Sequence, residues 1–187
     1  MNIPSIAQCA ALMQRYGMWE NIRHHSLVVA RLADQIVSAL ARNRNALPVA
    51  SRKLVVAGAL LHDIAKTQCI EQGGDHARLG AEICRKHGYP EIAEIVAEHV
   101  ILQQFDPKRY VHGHFTAKEI VYYADKRVRH HEIVHLDQRL QYILERYGQG
   151  DPRREEFITK NFNICVELEG YLFKWLDFPP QDLGRTK

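Results

Sequence analysis

Cysteine is sparse and scattered: Cys9, Cys69, Cys84 and Cys165 form no Cys-x-x-Cys pair. That spacing argues against a thiolate zinc site and against a disulfide framework, so the thiols are read as reduced and buried. Long apolar runs are missing too. No stretch approaches the roughly 18 consecutive apolar residues of a membrane span, and Met1-Asn2-Ile3-Pro4 lacks the basic and apolar segments of a secretory leader. No alternating pattern is long enough for a strand, and no repeat, low-complexity tract or linker interrupts the chain. The net charge of +3 is too small to argue for nucleic acid by itself, although it suits small anions. These absences lead to the expectation of a soluble cytoplasmic protein with no membrane partner and no requirement for a nucleic-acid polymer. With 46% hydrophobic residues over 187 positions the chain can bury a full core. A single domain is expected over residues 1–176, with a frayed tail over 177–187.

What the sequence has in excess is histidine, 11 residues with no terminal tag to explain them. Such enrichment points toward metal binding. Apolar residues recur at helical spacing almost throughout, which predicts an all-α bundle of about seven to eight helices. The first runs from Ser5 to Tyr16 with Gly17 as its stop, and the second from His24 to about Asn43. On the second, His25 shares a stripe with Val28, Val29, Leu32, Ile36 and Leu40, which places it on the buried face. A third follows Pro48 and Ser51 and ends near Lys66, ahead of Gly73-Gly74. Asp75 is the expected N-cap of a fourth, with His76 in its first turn and Gly88 after its end. Pro90 opens a fifth that carries His99 near its C-terminus. Residues Phe105 to Phe115 are expected as loop. Thr116-x-x-Glu119 reads as a capping box, which starts a sixth helix leading to Asp125. A seventh covers Leu136 to Tyr147, and the last opens at Asp151-Pro152 and runs to Trp175 or Leu176. The cluster from Arg127 to His135 is read as a solvated corner.

The stretch from Ala57 to Lys66 concentrates the chemistry. Ala59, Leu60, Leu61 and Ile64 form an apolar wall that ends on His62-Asp63, a neutral imidazole and a carboxylate where water is partly excluded. Successive residues on a regular helix diverge by roughly 100°, so both can reach one ion only at a distorted or terminating turn. Taking metal-binding residue types at inward or helix-terminal positions leaves His25, His62, Asp63, His76, His99 and Asp125. A set with carboxylates and imidazoles but no thiolates suits a hard or borderline ion rather than a closed structural zinc site.

The segments His25-Ser26-Leu27-Val28-Val29-Ala30, Leu60-Leu61-His62-Asp63-Ile64-Ala65-Lys66 and Tyr123-Ala124-Asp125-Lys126 together resemble the HD superfamily of metal-dependent phosphohydrolases. They span roughly residues 20 to 145, in that family's order. The resemblance implies that His25, His62, Asp63 and Asp125 bind a divalent metal, one of Fe, Mn, Co, Ni, Zn or Mg. His76-Ala77-Arg78-Leu79-Gly80-Ala81-Glu82 and Ala97-Glu98-His99 are similar to the added histidine elements of the family's binuclear subgroup. In that subgroup Asp63 would bridge two ions and His76 and His99 would hold the second. The subgroup often carries two adjacent histidines where this chain has His99-Val100, so one ion is expected and two are allowed.

The activity implied is hydrolysis of a phosphoester or phosphoanhydride bond in a nucleotide-like small molecule by metal-activated water. Asp63 and Lys66 are the expected catalytic residues, with Lys66 offsetting charge on the phosphoryl group. Lys66, Arg78, Lys126 and Arg127 are the candidates for holding the phosphorylated substrate. His76 or His99, if free of metal, could protonate the leaving oxygen. A homodimer is compatible with the sequence. Two other readings share the scaffold: a di-iron oxygenase and a nucleotide-sensing module without turnover.

Overall fold

The structure is a computed structural model that describes residues 1–46 and 48–185. Among the described residues it is all-α apart from one two-stranded hairpin. Helix α1 (Ile6–Arg15) starts at a capping box in which Ser5 and Gln8 bond each other's backbone. Helix α2 (Glu20–Arg42) begins one turn earlier than its apolar stripe suggests, with Trp19 as N-cap, and buries His25, Val29, Leu32, Ile36 and Leu40 along that stripe. Helix α2 packs along α3 (Arg52–Leu61).

The third helix does not run through to Lys66 as expected. It stops at Leu61, residues 62–65 form turns, and a separate helix, α4 (Lys66–Gln72), follows. Gly73 and Gly74, at φ +81° and +109°, then reverse the chain in a region L side chains avoid. Helix α5 (His76–Lys86), capped by Asp75, lies beside α6 (Pro90–Glu98). Two glycines allow helices to approach α6 closely. A Cβ at Gly58 of α3 would fall 2.6 Å from Ile95 Cδ1, and one at Gly80 of α5 would fall 2.8 Å from Val96 Cγ1. The ends of α3, α5 and α6 are thereby drawn together.

The segment expected as loop holds a short helix, α7 (Pro107–Tyr110), because Asp106 caps it and the Tyr110 ring stacks on Phe115 in the core. Helix α8 (Ala117–Lys126), opened by the Thr116/Glu119 capping box, packs against α2, α3 and α6. A hairpin, β1 (Val128–Arg129) and β2 (Glu132–Ile133), pairs antiparallel across a tip at His130-His131. These strands are two residues each, too short for any alternation to show. Helix α9 (Leu136–Ile143) continues as a π-helical turn over Leu144–Gly148, and α10 (Pro152–Leu172) ends slightly before the expected Trp175.

The C-terminal segment is docked rather than frayed as far as residue 185; the expectation for Thr186 and Lys187 lies outside the described residues. Leu183 is 3% exposed within the same apolar cluster that contains Cys9, and Gly184 N–H donates to Gln35 Oε1 at 2.7 Å. Arg127 Nη2 donates to the Pro180 carbonyl at 3.1 Å. Leu183→Ala should therefore cost about 2–3 kcal/mol, measured by urea unfolding; a change within error would mean that the tail contributes nothing to the core.

Candidate metal centre

Two helix ends each supply an imidazole to the site by the same local device. His62 follows the last residue of α3, and His99 follows the last residue of α6. A helix leaves its final carbonyls without intrahelical donors, and each ring turns back onto one of them. His62 Nδ1 lies 2.7 Å from Ala59 O, and His99 Nδ1 lies 2.7 Å from Val96 O. His25 Nδ1 is matched to a more distant acceptor, the His130 carbonyl at the hairpin tip, at 2.9 Å. A carbonyl oxygen only accepts, so the proton sits on Nδ1 in all three rings and Nε2 is the inward-facing atom.

Those inward atoms converge on two carboxylates. Asp63 stands in the turn after α3, which frees it from the divergence that a continued helix would impose on neighbours. Its Oδ2 lies 3.8 Å from His25 Nε2 and 3.3 Å from His62 Nε2. Its Oδ1 faces the other way, 3.4 Å from His76 Nε2 and 3.4 Å from His99 Nε2. Asp125, in the last turn of α8, places Oδ1 3.0 Å from His25 Nε2 and 3.6 Å from His62 Nε2. His76 Nε2 and His99 Nε2 are 3.2 Å apart. The six residues singled out in the sequence are thus gathered around one point, with His76 the most open at 27% side-chain exposure.

These atoms fit a cation. His62 Nε2 and Asp63 Oδ1 are buried with no hydrogen-bond partner, which is costly unless something positive lies between such atoms. Imidazole lone pairs aimed at carboxylate oxygens and at each other repel unless a proton or a metal ion separates them. Ligand atoms of His25, His62 and Asp125, and of His62, Asp63 and His99, lie within 4.8 Å of one another and could hold an ion.

Electrostatics favour the ionised carboxylates. Burial alone would raise Asp63, but Lys66 and His62 outweigh it and hold its pKa well below the usual carboxylate range. Asp125 follows the same pattern, with burial outweighed by Lys126 and His25. Burial works against the charged form of His62, yet Asp63 and Asp125 raise its pKa. His76 moves the other way, lowered to about 4 by burial and by its neighbour His99, and His99 is lowered chiefly by burial. Both shifts favour the neutral ring, the form in which an imidazole nitrogen can bind a metal ion.

The four expected substrate contacts fare differently. Lys66 Nζ lies 2.8 Å from Asp63 Oδ2 and stays partly exposed, at the edge of the cluster. Arg78 is not turned inward: its side chain is 76% exposed and pairs with Glu82 at 3.8 Å, because it sits two residues from His76 on another face of α5. Lys126 is buried, with Nζ 2.9 Å from His99 O, 3.0 Å from Asp125 Oδ2 and 4.7 Å from the Tyr122 ring centre. Arg127 is buried as well; it donates to Val134 O, Tyr123 Oη, Glu169 Oε2 and Pro180 O, so the expected solvated corner is anchored at this point. Both cations are buried and engaged with the fold, which turns them away from an incoming ligand. Sequence reasoning missed the hairpin carbonyl that orients His25, since a main-chain acceptor leaves no residue-type signal.

The chain belongs to the HD-domain family: the sequence profile of the HD domain matches residues 22–134. This family is typically one of metal-dependent hydrolases. The chain is 38% identical over 99 residues to a tRNA (cytidine(56)-2'-O)-methyltransferase of Thermoplasma volcanium, covering 52% of this chain and 26% of that protein. It is 36% identical over 81 residues to ribonuclease Y of Mesoplasma florum, covering 43% and 14% respectively. An uncharacterized protein of Methanocaldococcus jannaschii is 30% identical over 155 residues, covering 78% of this chain and 88% of that one. The chain therefore spans about a quarter or less of the methyltransferase and the ribonuclease. No solved structure matches significantly.

Lys126→Met should lower stability by about 3 kcal/mol, because it strands a buried carboxylate. In that variant the KM for any substrate should stay unchanged; a raised KM with unchanged stability would return Lys126 to the substrate side.

Proposed function

We propose that this protein is a metal-dependent phosphohydrolase that cleaves a phosphoester or phosphoanhydride bond in a nucleotide-like small molecule. The reading is carried by Asp63, whose two oxygens each face a separate pair of imidazole nitrogens while Oδ1 and His62 Nε2 have no hydrogen-bonding partner. His25, His62, Asp63 and Asp125 would hold one divalent ion, and Asp63 with His76 and His99 a second. Such an ion, when bound, lowers the pKa of coordinated water toward neutrality and polarises a phosphoryl oxygen.

The protein's own groups supply the rest. The Nδ1 partners of His25, His62 and His99 hold the three Nε2 atoms toward the carboxylates without a reorientation step. Lys66, whose pKa burial alone would lower but Asp63 and Asp125 raise, retains its proton. Its ammonium at the cluster edge can offset negative charge on a transferring phosphoryl group. The apolar wall of Leu60, Leu61 and Ile64 behind the ligands restricts water to one side. Two relatives are named for proteins that act on RNA, which supports nucleotide-like chemistry for the substrate.

The experiment is elemental analysis combined with phosphate release over a nucleotide panel. Asp63→Ala should abolish metal retention and lower turnover by at least about a hundredfold, with the helical circular-dichroism signal retained. Full activity in metal-free Asp63→Ala protein would refute the assignment. Lys66→Ala should cut kcat by about tenfold or more at unchanged metal content. Loss of metal from that variant would make Lys66 a support of the ligand set rather than a group acting on substrate.

A further inference from the structure

A groove of about 660 Å³ lies between α1, α2 and α3. It is separate from the metal centre in its lining: none of the six clustered residues contributes to it. Its floor is apolar, made by Cys9, Ala30, Ala57 and Leu60, each at most 6% exposed. Its lip is apolar as well. Ile6 is 68% exposed and Leu27 53% exposed, so two large aliphatic side chains on facing helices are held in water beside a ready-made cleft. The side-chain oxygens of Ser5 and Gln8, which also line it, accept the backbone bonds of the α1 capping box. The floor therefore offers its area to a hydrocarbon.

The rest of the rim has the opposite character. Four charged side chains line the groove, Arg31, Asp34, Arg52 and Lys53, with a net charge of +2. Arg52 is bound to Asp34 through both carboxylate oxygens, and its Nη2 lies 2.8 Å from Oδ2. Arg31 and Lys53 are exposed and have no ion-pair or hydrogen-bond partner among the described residues. Two unpaired cations above an apolar cleft complement an anionic head on an aliphatic tail. The volume falls within the range of small-molecule sites, roughly 300–1,000 Å³.

We propose that this groove is a binding site for a free single-chain alkyl carboxylate, with the chain along Cys9, Ala30, Ala57 and Leu60 and the carboxylate between Arg31 and Lys53. The occupied walls would be α2 and α3, the helices that also carry His25 and lead to His62.

The test is calorimetric titration of the full chain with saturated carboxylates from hexanoate to dodecanoate, each below its micellar concentration. Affinity should rise about fourfold per added methylene, the increment for burying one such group, until the groove is filled. Decylamine should bind at least about tenfold more weakly than decanoate, because its charge meets like charge at the rim. Arg31→Glu/Lys53→Glu should reverse that order. Both residues are exposed, and the comparison of decanoate with decylamine on the unaltered protein stands even if the double variant misfolds. Affinity independent of chain length would reduce the site to surface ion pairing and overturn the proposal. Equal binding of decanoate and decylamine would overturn it too, as would uptake only by anionic vesicles and not by monomeric ligand. A concentration-dependent dimer that takes up no decanoate would assign the groove to a second copy of the chain, and this outcome also counts against the site.

Discussion

A carboxylate with almost no access to water must be compensated, and most of what is distinctive here follows from meeting that demand at Asp63. The residue is 1% exposed, at the point where α3 breaks. In a regular helix it would point away from His62. The break turns it into the same space, where three other imidazoles and Lys66 converge. Closeness of α3 and α5 to α6, permitted by Gly58 and Gly80, is the packing condition for that convergence. Local backbone interruption and small residues in the core thus serve one electrostatic end.

Much of this was legible in the sequence, for identifiable reasons. Period-3.6 apolar patterning is strong in α2, so the buried side of His25 could be read directly. Capping residues at Ser5, Asp75, Thr116 and Asp151 mark helix starts with their own chemistry. Ligand types at helix ends stood out because an imidazole or carboxylate on an apolar face needs a partner. What stayed hidden has equally physical causes. The split between α3 and α4 contains no Gly or Pro, since His62-Asp63-Ile64-Ala65 breaks the helix through tertiary demands alone. The short helix α7 and the hairpin are too brief for periodicity to register. The docking of residues 180–185 depends on Arg127 and Gln35, remote in sequence.

Lys126 and Arg127 show why residue type and proximity to a ligand do not suffice to assign a role. Both follow Asp125 directly and carry the charge expected of an anion-binding residue. Yet α8 turns them into the core, where Lys126 ties Asp125 to the end of α6, and Arg127 ties α8 to α10, the hairpin and the C-terminal segment. Their charge offsets the buried carboxylate of Asp125 and the half-buried one of Glu169. Lys66, one helical turn beyond Asp63, retains the partial exposure that a group acting on an incoming molecule requires.

The hairpin tip brings a constraint of another kind. His130 adopts φ +57°, a conformation uncommon for residues other than glycine, and its ring meets Tyr142 edge-on at 5.3 Å while its carbonyl fixes His25. Because the fixing atom belongs to the main chain, many side chains could occupy position 130 over evolutionary time, and those tolerant of left-handed backbone would be favoured. Loop length has no such freedom: one residue gained or lost between β1 and β2 would carry the carbonyl away from the imidazole. Across descendants of this gene, drift at that corner should accordingly be rich in substitutions and poor in insertions and deletions.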